Sequence, residues 1–488
     1  MLVPSDLIAE LDRVEAAERR APTYAWNDGG TARALLDYFG PDLLAVTGSK
    51  DLWAVWDGGR WSFRRTDQLT AEFEQAVSHP LQRAAKRTPD NKDLARWANT
   101  VSNTSRMTAG IKHAHNLAQV AERNQTIAVE EFDAYPEAIG VVNGILDLSG
   151  PVPVLRSRSR EWKITRSTPC EFDSTATHPA LTEYLNKFLP EPDLREFVQR
   201  LLGYAALRDG NPERLMAWLR GETSTGKSTI AEWVHHTLGA QHSMTTDPSL
   251  FREKREAGAT SELAKSLSRR FLVLSQFGSS SKLHVSIIKR LTGAESIPAR
   301  RAHSPEVVER VPGFTPVVVT NKVPHVDDPD SAFRRRLVVV PFLHASDPNA
   351  ADRRRTTDEE TWPAVLAWLA QGYAAFKRVG IRPNTWPAAV QEETDRTFMD
   401  LSPGDQFWDK RVRPAQGEWV RTNVLWREFF QWQLDAGVPD EARLNETQFK
   451  RFVREQKDLT PTPRKESVGE AKKSVKVYVG IRLTDEDV

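Results

Sequence analysis

The sequence predicts a multidomain α/β protein. From residue 214 onward, apolar runs of strand length alternate with helical patterns, which is typical of a parallel sheet covered by helices. Upstream, over residues 30–165, hairpins and helices mix as they do in an α+β domain. The 488 residues also exceed the usual size of one domain, so we expect several.

Composition narrows the classes of function. A net charge of +1 restricts any nucleic-acid surface to a local patch. Cys170 is the single cysteine, which excludes an internal disulfide and predicts a small core residue. The N-terminus lacks the pattern of a signal peptide and no run of 18 apolar residues occurs, so we expect a cytoplasmic protein.

The first 175 residues predict a helix and then a mixed domain. Residues 5–20 have the spacing of an amphipathic helix, and residues 52–63 predict a hairpin whose turn is Asp57-Gly58-Gly59. A polar helical region covers 105–123, and 138–150 predicts a strand, a turn and a strand.

The alternating region begins after helices predicted over 178–208. "RLMAWLRG" is predicted as a strand and "GKSTIAEWVHHTLG" as a helix, and three further strands follow in "RRFLVLSQF", "TPVVVTN" and "RRLVVVPF". A boundary falls near 400–405. The last 85 residues or so predict two helices, a basic turn and a strand, the order of a winged helix.

A phosphate-binding loop is predicted between the first of these strands and its helix. "GETSTGKST" fits G-x-x-x-x-G-K-[ST], and its glycines permit a tight loop with inward-pointing amides. Lys227 is expected to reach the β and γ phosphates of ATP, and the Ser228 hydroxyl to bind Mg²⁺. The expected nucleotide-binding residues are Gly221, Glu222, Thr223, Ser224, Thr225, Gly226, Lys227, Ser228 and Thr229.

Further motifs resemble the phage and plasmid primase-helicase family, whose motor is a superfamily-3 helicase. "AIGVVNGILDLSG" and "LREFVQRLLGYAAL" resemble its N-terminal helicase-associated domain and the junction to its ATPase. "AKSLSRRFLVLSQF" resembles the approach to its Walker B strand, "IIKRLTGAESIPARRAHS" its DNA-contacting B′ motif, "PVVVTN" its sensor 1 and "DSAFRRRLVVVPF" its arginine-finger segment.

The resemblance implies an AAA+-like ATPase core that works as a hexameric ring with ATP between subunits. Asn321 is then the polar sensor, and Arg335 or Arg336 reaches the neighbouring subunit's γ-phosphate. The alternatives are an ordinary turn asparagine and solvated arginines beside an edge strand.

The expected partner is single-stranded or forked DNA. In a ring, the basic residues around the B′ hairpin would grip the DNA backbone; otherwise they form a solvated basic face. The C-terminal helix 445–456 can have Asn445 as its N-cap and bury Phe449, Phe452 and Val453, which leaves cations outside. The residues predicted to contact DNA are Lys289, Arg300, Arg301, His303, Lys450, Arg451 and Arg454, with Lys457 on the same outer side.

The chain departs from the family's pattern in two places. The two acids that end the Walker B strand align with Gln276 and Gly278. Glutamine can hydrogen-bond to a metal-bound water but cannot take its proton, and glycine contributes no side chain. Asp327, Asp328, Asp330 and Glu222 are the acids that could approach the phosphates in their place. Only about 30 residues precede the helicase-associated region, so we expect no primer synthesis. A separate primase or another replication protein is then a candidate partner.

These observations leave two main hypotheses. The first is an ATP-dependent DNA helicase or translocase of phage or mobile-element replication. The second is a ring or scaffold that binds ATP and DNA but hydrolyses ATP poorly; a defence or regulatory role is a weaker third. The expected segments are an N-terminal helix, a helicase-associated domain, a helical collar, the ATPase core, a helical lid and a winged helix, at 1–28, 29–175, 176–210, 211–345, 346–400 and 401–488.

Overall fold

The computed structural model divides the chain into two units. One comprises residues 1–145 and 155–167, and the other residues 146–154 and 168–488. The structure describes residues 5–120, 124–251, 261–275, 282–300, 307–323, 325–327, 329–346, 356–438, 440, 443–468 and 471–484.

The first unit combines helices with a four-stranded sheet in the order β3–β2–β1–β4. Its helices are α1 (Ser5–Arg20), α2 (Asp28–Phe39), α3 (Thr70–Phe73), α4 (His79–Arg87), α5 (Lys92–Val101) and α6 (Thr104–Ala118). Its sheet consists of β1 (Leu43–Val46), β2 (Leu52–Trp56), β3 (Trp61–Arg65) and β4 (Thr126–Ile127). Three further strands, β5 (Ala138–Val141), β6 (Gly144–Asp147) and β7 (Val154–Arg156), pair in the order β5–β6–β7 and are not confined to the first unit.

The predicted hairpin of this unit is confirmed. Strands β2 and β3 pair antiparallel, and Gly58 has a φ of 88° at the turn. The Asp57 Oδ1 accepts hydrogen bonds of 2.8 Å from the backbone N–H groups of Gly59 and Arg60, which fixes the turn. The helix predicted over 105–123 is α6, which ends at Ala118.

The second unit is built on a five-stranded sheet that is parallel throughout. Its strands are β8 (Met216–Gly221), β9 (Ser243–Thr246), β10 (Phe271–Leu274), β14 (Thr315–Thr320) and β16 (Leu337–Phe342). The order across the sheet is β16–β8–β14–β10–β9. The strands predicted from apolar runs at β8, β10, β14 and β16 are therefore confirmed.

Helices cover both faces of this sheet. The helices before, between and after the strands are α7 (Pro179–Phe188), α8 (Pro192–Leu207), α9 (Lys227–His242), α10 (Ser261–Ser266), α11 (Val285–Leu291), α12 (Ser331–Arg334), α13 (Trp362–Val379) and α14 (Ala388–Leu401). Two short pairs complete the region, β11 (Lys282–His284) with β15 (His325–Asp327) and β12 (Ile297–Arg300) with β13 (Val307–Arg310).

The strand order decides on which face each helix lies. The connection from β8 to β9 runs one way across the sheet, and the later connections run the other way. Because such crossovers are right-handed, α9 lies on one face and α10, α11 and α12 lie on the other. The apolar core agrees: Leu263, Ile288 and Phe333 of α10–α12 share one cluster with Trp218 and Leu272 of the sheet.

A small helical domain with an antiparallel sheet ends the chain. Its elements are α15 (Pro403–Arg411), β17 (Val412–Arg421), α16 (Thr422–Asp435), α17 (Glu446–Gln456), β18 (Thr462–Val468) and β19 (Ala471–Leu483). The sheet order is β17–β19–β18, and Phe407, Phe429, Phe449 and Ile481 meet in its core. Within the described residues, no helix is long and apolar enough to cross a membrane.

Candidate nucleotide site

The phosphate-loop motif lies at the carboxyl end of strand β8, an interior strand of the sheet. Strand β8 ends at Gly221 and helix α9 begins at Lys227. The neighbouring strand β14 sends its connection to the opposite face of the sheet from α9. Ligands of open parallel sheets bind outside the carboxyl ends of the strands at such a switch point, because the diverging connections leave a crevice there.

Two positions of the loop leave no room for a side chain larger than that of glycine. Gly226 has a φ of 85°, and a Cβ at this position would lie 2.8 Å from the Phe188 ring and 2.9 Å from the Tyr184 ring. A Cβ on Gly221 would lie 2.2 Å from the carbonyl oxygen of Phe342 in strand β16. Close packing thus requires glycine at both positions, and the positive φ requires it at Gly226 as well.

The Lys227 side chain folds back onto its own loop. Its Nζ donates to the carbonyl oxygens of Gly221 and Glu222 at 2.8 and 2.6 Å, and to the Thr225 Oγ1 at 2.9 Å. The residue is only 4% exposed, and burial lowers the pKa of its ammonium group although Glu222 opposes the shift. Its three described acceptors are uncharged oxygens.

This donor set fits a polyphosphate. A buried ammonium group surrounded by neutral acceptors gains most from an anion, because a charged partner compensates its lost hydration. Ser228 is exposed on the first turn of α9, where its hydroxyl could bind a metal ion that the phosphates also hold. The described residues contain no group of three or more His, Cys, Asp or Glu side chains suited to a metal.

The predicted sensor residue lies beside the loop. Asn321 directly follows β14, and its Nδ2 donates a 3.1 Å hydrogen bond to the Thr223 Oγ1. The structure therefore brings together two residues 98 positions apart in the sequence. An amide at this position could orient a water molecule or a phosphate oxygen.

Two loop contacts were missed by sequence reasoning. The Tyr184 hydroxyl donates to the carbonyl oxygen of Gly226 at 3.0 Å, and the Ser346 backbone N–H donates to that of Ser224 at 2.9 Å. Tyr184 and Phe188 are four residues apart on α7, a spacing that signals one helical face. No local signal links either the tyrosine or the serine to the loop.

The proposed Walker B strand is the buried interior strand β10. Its four residues lie between β9 and β14, and Ser275 follows them. Gln276, Gly278 and Asp328 lie outside the described residues, as does the side chain of Asp327. Of the other acids considered, Glu222 is exposed on the loop and Asp330 caps α12 by accepting from the Phe333 N–H at 2.8 Å.

The three adjacent arginines have different environments. Arg334 pairs with Asp395 and lies 6.0 Å from the Trp386 ring centroid. Arg336 donates to the Thr292 Oγ1 at 3.0 Å and to the Ala332 carbonyl at 2.8 Å, and burial lowers its pKa. Arg335 is exposed and forms no side-chain hydrogen bond with any described residue. Arg335 is thus the arginine of the three that is free to reach another molecule.

The predicted DNA-contacting residues of the hairpin are only partly described. Lys289 on α11 forms an ion pair with Asp330 at the start of α12. Arg300 ends strand β12, but its side chain lies outside the description, as do Arg301 and His303. Strands β12 and β13 do pair antiparallel, as a hairpin requires.

Helix α17 confirms the predicted cap and buried face. Asn445 accepts from the Gln448 N–H at 3.0 Å, and Phe449, Phe452 and Val453 are buried. Lys450, Arg451 and Arg454 are exposed, although Lys450 pairs with Glu446 and Arg454 with Glu455. The prediction for Lys457 is wrong: its Nζ turns inward to Asp405 at 2.6 Å and lies over the Phe452 ring.

Comparisons with known proteins agree with the resemblance that the motifs predict. Residues 32–190 match the family described as "D5 N terminal like". Over 211 residues, 42% of this chain, the sequence is 28% identical to the Acanthamoeba polyphaga mimivirus protein named "Putative helicase L207/L206" and covers 22% of it. It is 24% identical over 243 residues to "Primase D5" of fowlpox virus, covering 47% of this chain and 29% of that protein.

The chain is therefore related to the primase-helicases, and in particular to viral proteins of the D5 type. It spans less than a third of the length of these curated relatives. The structure titled "The apo structure of NrS-1 C terminal region (305-718)" covers 92% of this chain and 99% of its own, at 10% identity and a TM-score of 0.45.

Proposed function

We propose that this protein is an ATP-dependent, DNA-acting motor of a helicase type that serves viral or mobile-element replication. The observation that carries the proposal is the phosphate-loop motif at the switch point of a parallel sheet, with Asn321 bonded to the loop. The related viral proteins named helicase and primase support DNA as the partner.

In this proposal each residue of the loop has one task. The backbone N–H groups of Gly221–Ser228 surround the phosphates, and Lys227 exchanges its neutral loop acceptors for phosphate oxygens. Ser228 holds Mg²⁺, which neutralises phosphate charge when bound. Asn321 gives up its hydrogen bond to Thr223 and instead orients the reacting group. Arg335 extends to the nucleotide of a neighbouring subunit in a ring.

Steady-state ATP hydrolysis with and without single-stranded DNA tests this function. The proposal expects Mg²⁺-dependent turnover that rises when DNA is added and disappears in Lys227→Ala. An Arg335→Ala variant should lose turnover while it retains ATP, because the arginine acts on a neighbouring site. Tight ATP binding with no turnover under any of these conditions would contradict the motor.

A second candidate function is a DNA-binding ring or scaffold that holds ATP and hydrolyses it poorly. It is favoured by Gln276 and Gly278, which replace both acids expected after β10. Losing a general base typically lowers a rate by about 10²–10⁴-fold. A large gain of turnover in Gln276→Glu with Gly278→Glu, without a change in ATP affinity, would support this candidate.

A further inference from the structure

The phosphate loop has two different flanks. On the flank of strand β14, Asn321 donates to Thr223. On the opposite flank, strand β16 pairs Phe342 with Gly221, and the segment that follows β16 returns to the loop through the Ser346 N–H and the Ser224 carbonyl, 2.9 Å apart. A ligand held in the loop can therefore extend toward either flank.

The proposed function fixes the direction of the nucleotide. Its terminal phosphate belongs on the β14 flank, near Asn321, because that is where hydrolysis needs an orienting amide. The nucleoside then extends toward the β16 flank. Neither the loop motif nor any other motif in the sequence assigns a role to the side chains on that flank.

Three aromatic side chains in a row, here called the aromatic column, lie on the β16 flank of the loop. Trp233 of α9 and Tyr184 of α7 are buried, and their ring centroids are 5.2 Å apart. Phe188, the last residue of α7, continues the column 5.0 Å from Tyr184 and is half-buried directly against Gly226. Tyr184 thus supports the ring, and Trp233 supports Tyr184, while part of the Phe188 ring remains accessible. The Lys187 Nζ lies 5.3 Å from the centroid of the Phe188 ring.

The segment that follows β16 lies close to the same helix. Leu343 is 65% exposed on this segment, directly after the buried strand β16. His344 bonds to Glu191 at 2.7 Å, and this contact ties the segment to the start of α8, three residues beyond Phe188. An aromatic ring and an exposed apolar side chain beside a phosphate loop, with polar groups nearby, are the kinds of group that bind a planar heterocycle.

We propose that Phe188 and Leu343 form the site for the nucleobase of the bound nucleoside triphosphate. This inference rests on the proposed function, because it takes the phosphates to lie in the Gly221–Ser228 loop. Phe188 stacks on the base through its π-face, and Leu343 covers the base from the other side. Different side chains then bind the base and the phosphates, although Phe188 packs against Gly226 of the phosphate loop.

Calorimetric titration of the full chain with MgATP and, separately, with inorganic tripolyphosphate and Mg²⁺ tests the proposal. Phe188→Leu keeps an apolar side chain against Gly226 but lacks a flat π-face. It should weaken ATP binding roughly tenfold, the scale of base–aromatic stacking, and leave tripolyphosphate binding unchanged. Phe188→Trp should retain ATP affinity.

Two controls separate this inference from the function it rests on. Lys227→Ala should weaken ATP and tripolyphosphate alike, since the lysine contacts phosphate only. If Phe188→Leu weakens both ligands equally, or neither, Phe188 merely supports the loop and the base site is overturned while the phosphate site stands. If the wild-type chain binds neither ligand, the proposed function fails and this inference fails with it.

Discussion

Gly226 is the loop residue whose substitution should be least tolerated. Gly226→Ala places a Cβ at a φ of 85° and within 3.0 Å of two aromatic rings. The backbone term alone costs about 1–2 kcal/mol, and the overlap adds displacement of Phe188 and Tyr184. We expect a lower free energy of unfolding in urea and a loss of nucleotide binding.

Gly417→Ala is the matched control for Gly226→Ala. Gly417 also has a φ of 85°, but an added Cβ would meet no heavy atom within 4 Å. It should show the backbone penalty without the steric one and should bind nucleotide like the wild type. Equal losses of stability and of binding in both variants would contradict the packing argument.

Cys170 gives a pH-dependent prediction. It is buried, and burial raises the pKa of its thiol from 9.0 to about 12. Because the folded pKa lies above the unfolded one, this contribution to stability is complete below pH 9 and is lost as the pH rises toward 12. Between pH 8 and pH 10 the wild type should lose about 1 kcal/mol more stability than Cys170→Ala. Parallel pH profiles of the two proteins would disprove this.

Local chemistry explains which residues could be predicted. The loop motif, the Asn445 cap and the buried face of α17 depend on residues a few positions apart, so the sequence displays them directly. The contacts of Tyr184 and Ser346 with the loop join residues 42 and 122 positions apart. Nothing in the local pattern marks them, because they follow from the order of the strands.

Among the secondary-structure elements, helix α12 is preceded by a residue, Asp330, whose side chain makes two interactions. Asp330 caps the helix and also pairs with Lys289 of α11. Asp330→Ala should lower the free energy of unfolding by about 1–2 kcal/mol, mainly through loss of the cap. Chemical denaturation followed by circular dichroism measures this difference.

Lys289→Ala isolates the ion pair from the cap. It breaks the same pair but leaves the hydrogen bond from Phe333 to Asp330 intact. Because both side chains are about one third exposed, the pair should contribute less than about 1 kcal/mol. If the two variants are equally destabilised, the cap does not carry the effect.

The helices and strands differ in how clearly their sequences predict them. Strands β8, β10, β14 and β16 are continuous apolar runs because both of their faces are buried, so each was predictable. Their order was not, since periodicity carries no information on which strands pair. Strands β17 and β18 were missed because "RPAQGEWVR" and "TPRKESV" lack a sustained apolar alternation.

For the whole molecule, the near-neutral net charge means that the proposed DNA binding would rest on a few cations. Replacing Lys450 and Arg454 of α17 with alanine should weaken single-stranded DNA binding without sequence preference. The slope of log affinity against log salt should fall by about one for each phosphate that the variant no longer binds. Fluorescence anisotropy over a salt series measures this slope.

Lys457→Ala serves as the control from the same helix end. Its ammonium group pairs with the buried Asp405, so its removal should destabilise the C-terminal domain. The salt slope should remain that of the wild type once the measurement is made under folding conditions. A reduced slope in Lys457→Ala, or an unchanged slope in the double variant, would place the DNA surface elsewhere.

The proposed function requires that a nucleoside triphosphate bind in the Gly221–Ser228 loop at the switch point of the parallel sheet. Equilibrium titration of MgATP into the wild type and Lys227→Ala tests it most directly. The variant loses charge-assisted hydrogen bonds worth about 1.5–3 kcal/mol, so its affinity should fall roughly 10- to 100-fold with no loss of fold. Equal affinity in both proteins, or no binding by the wild type, would contradict the account.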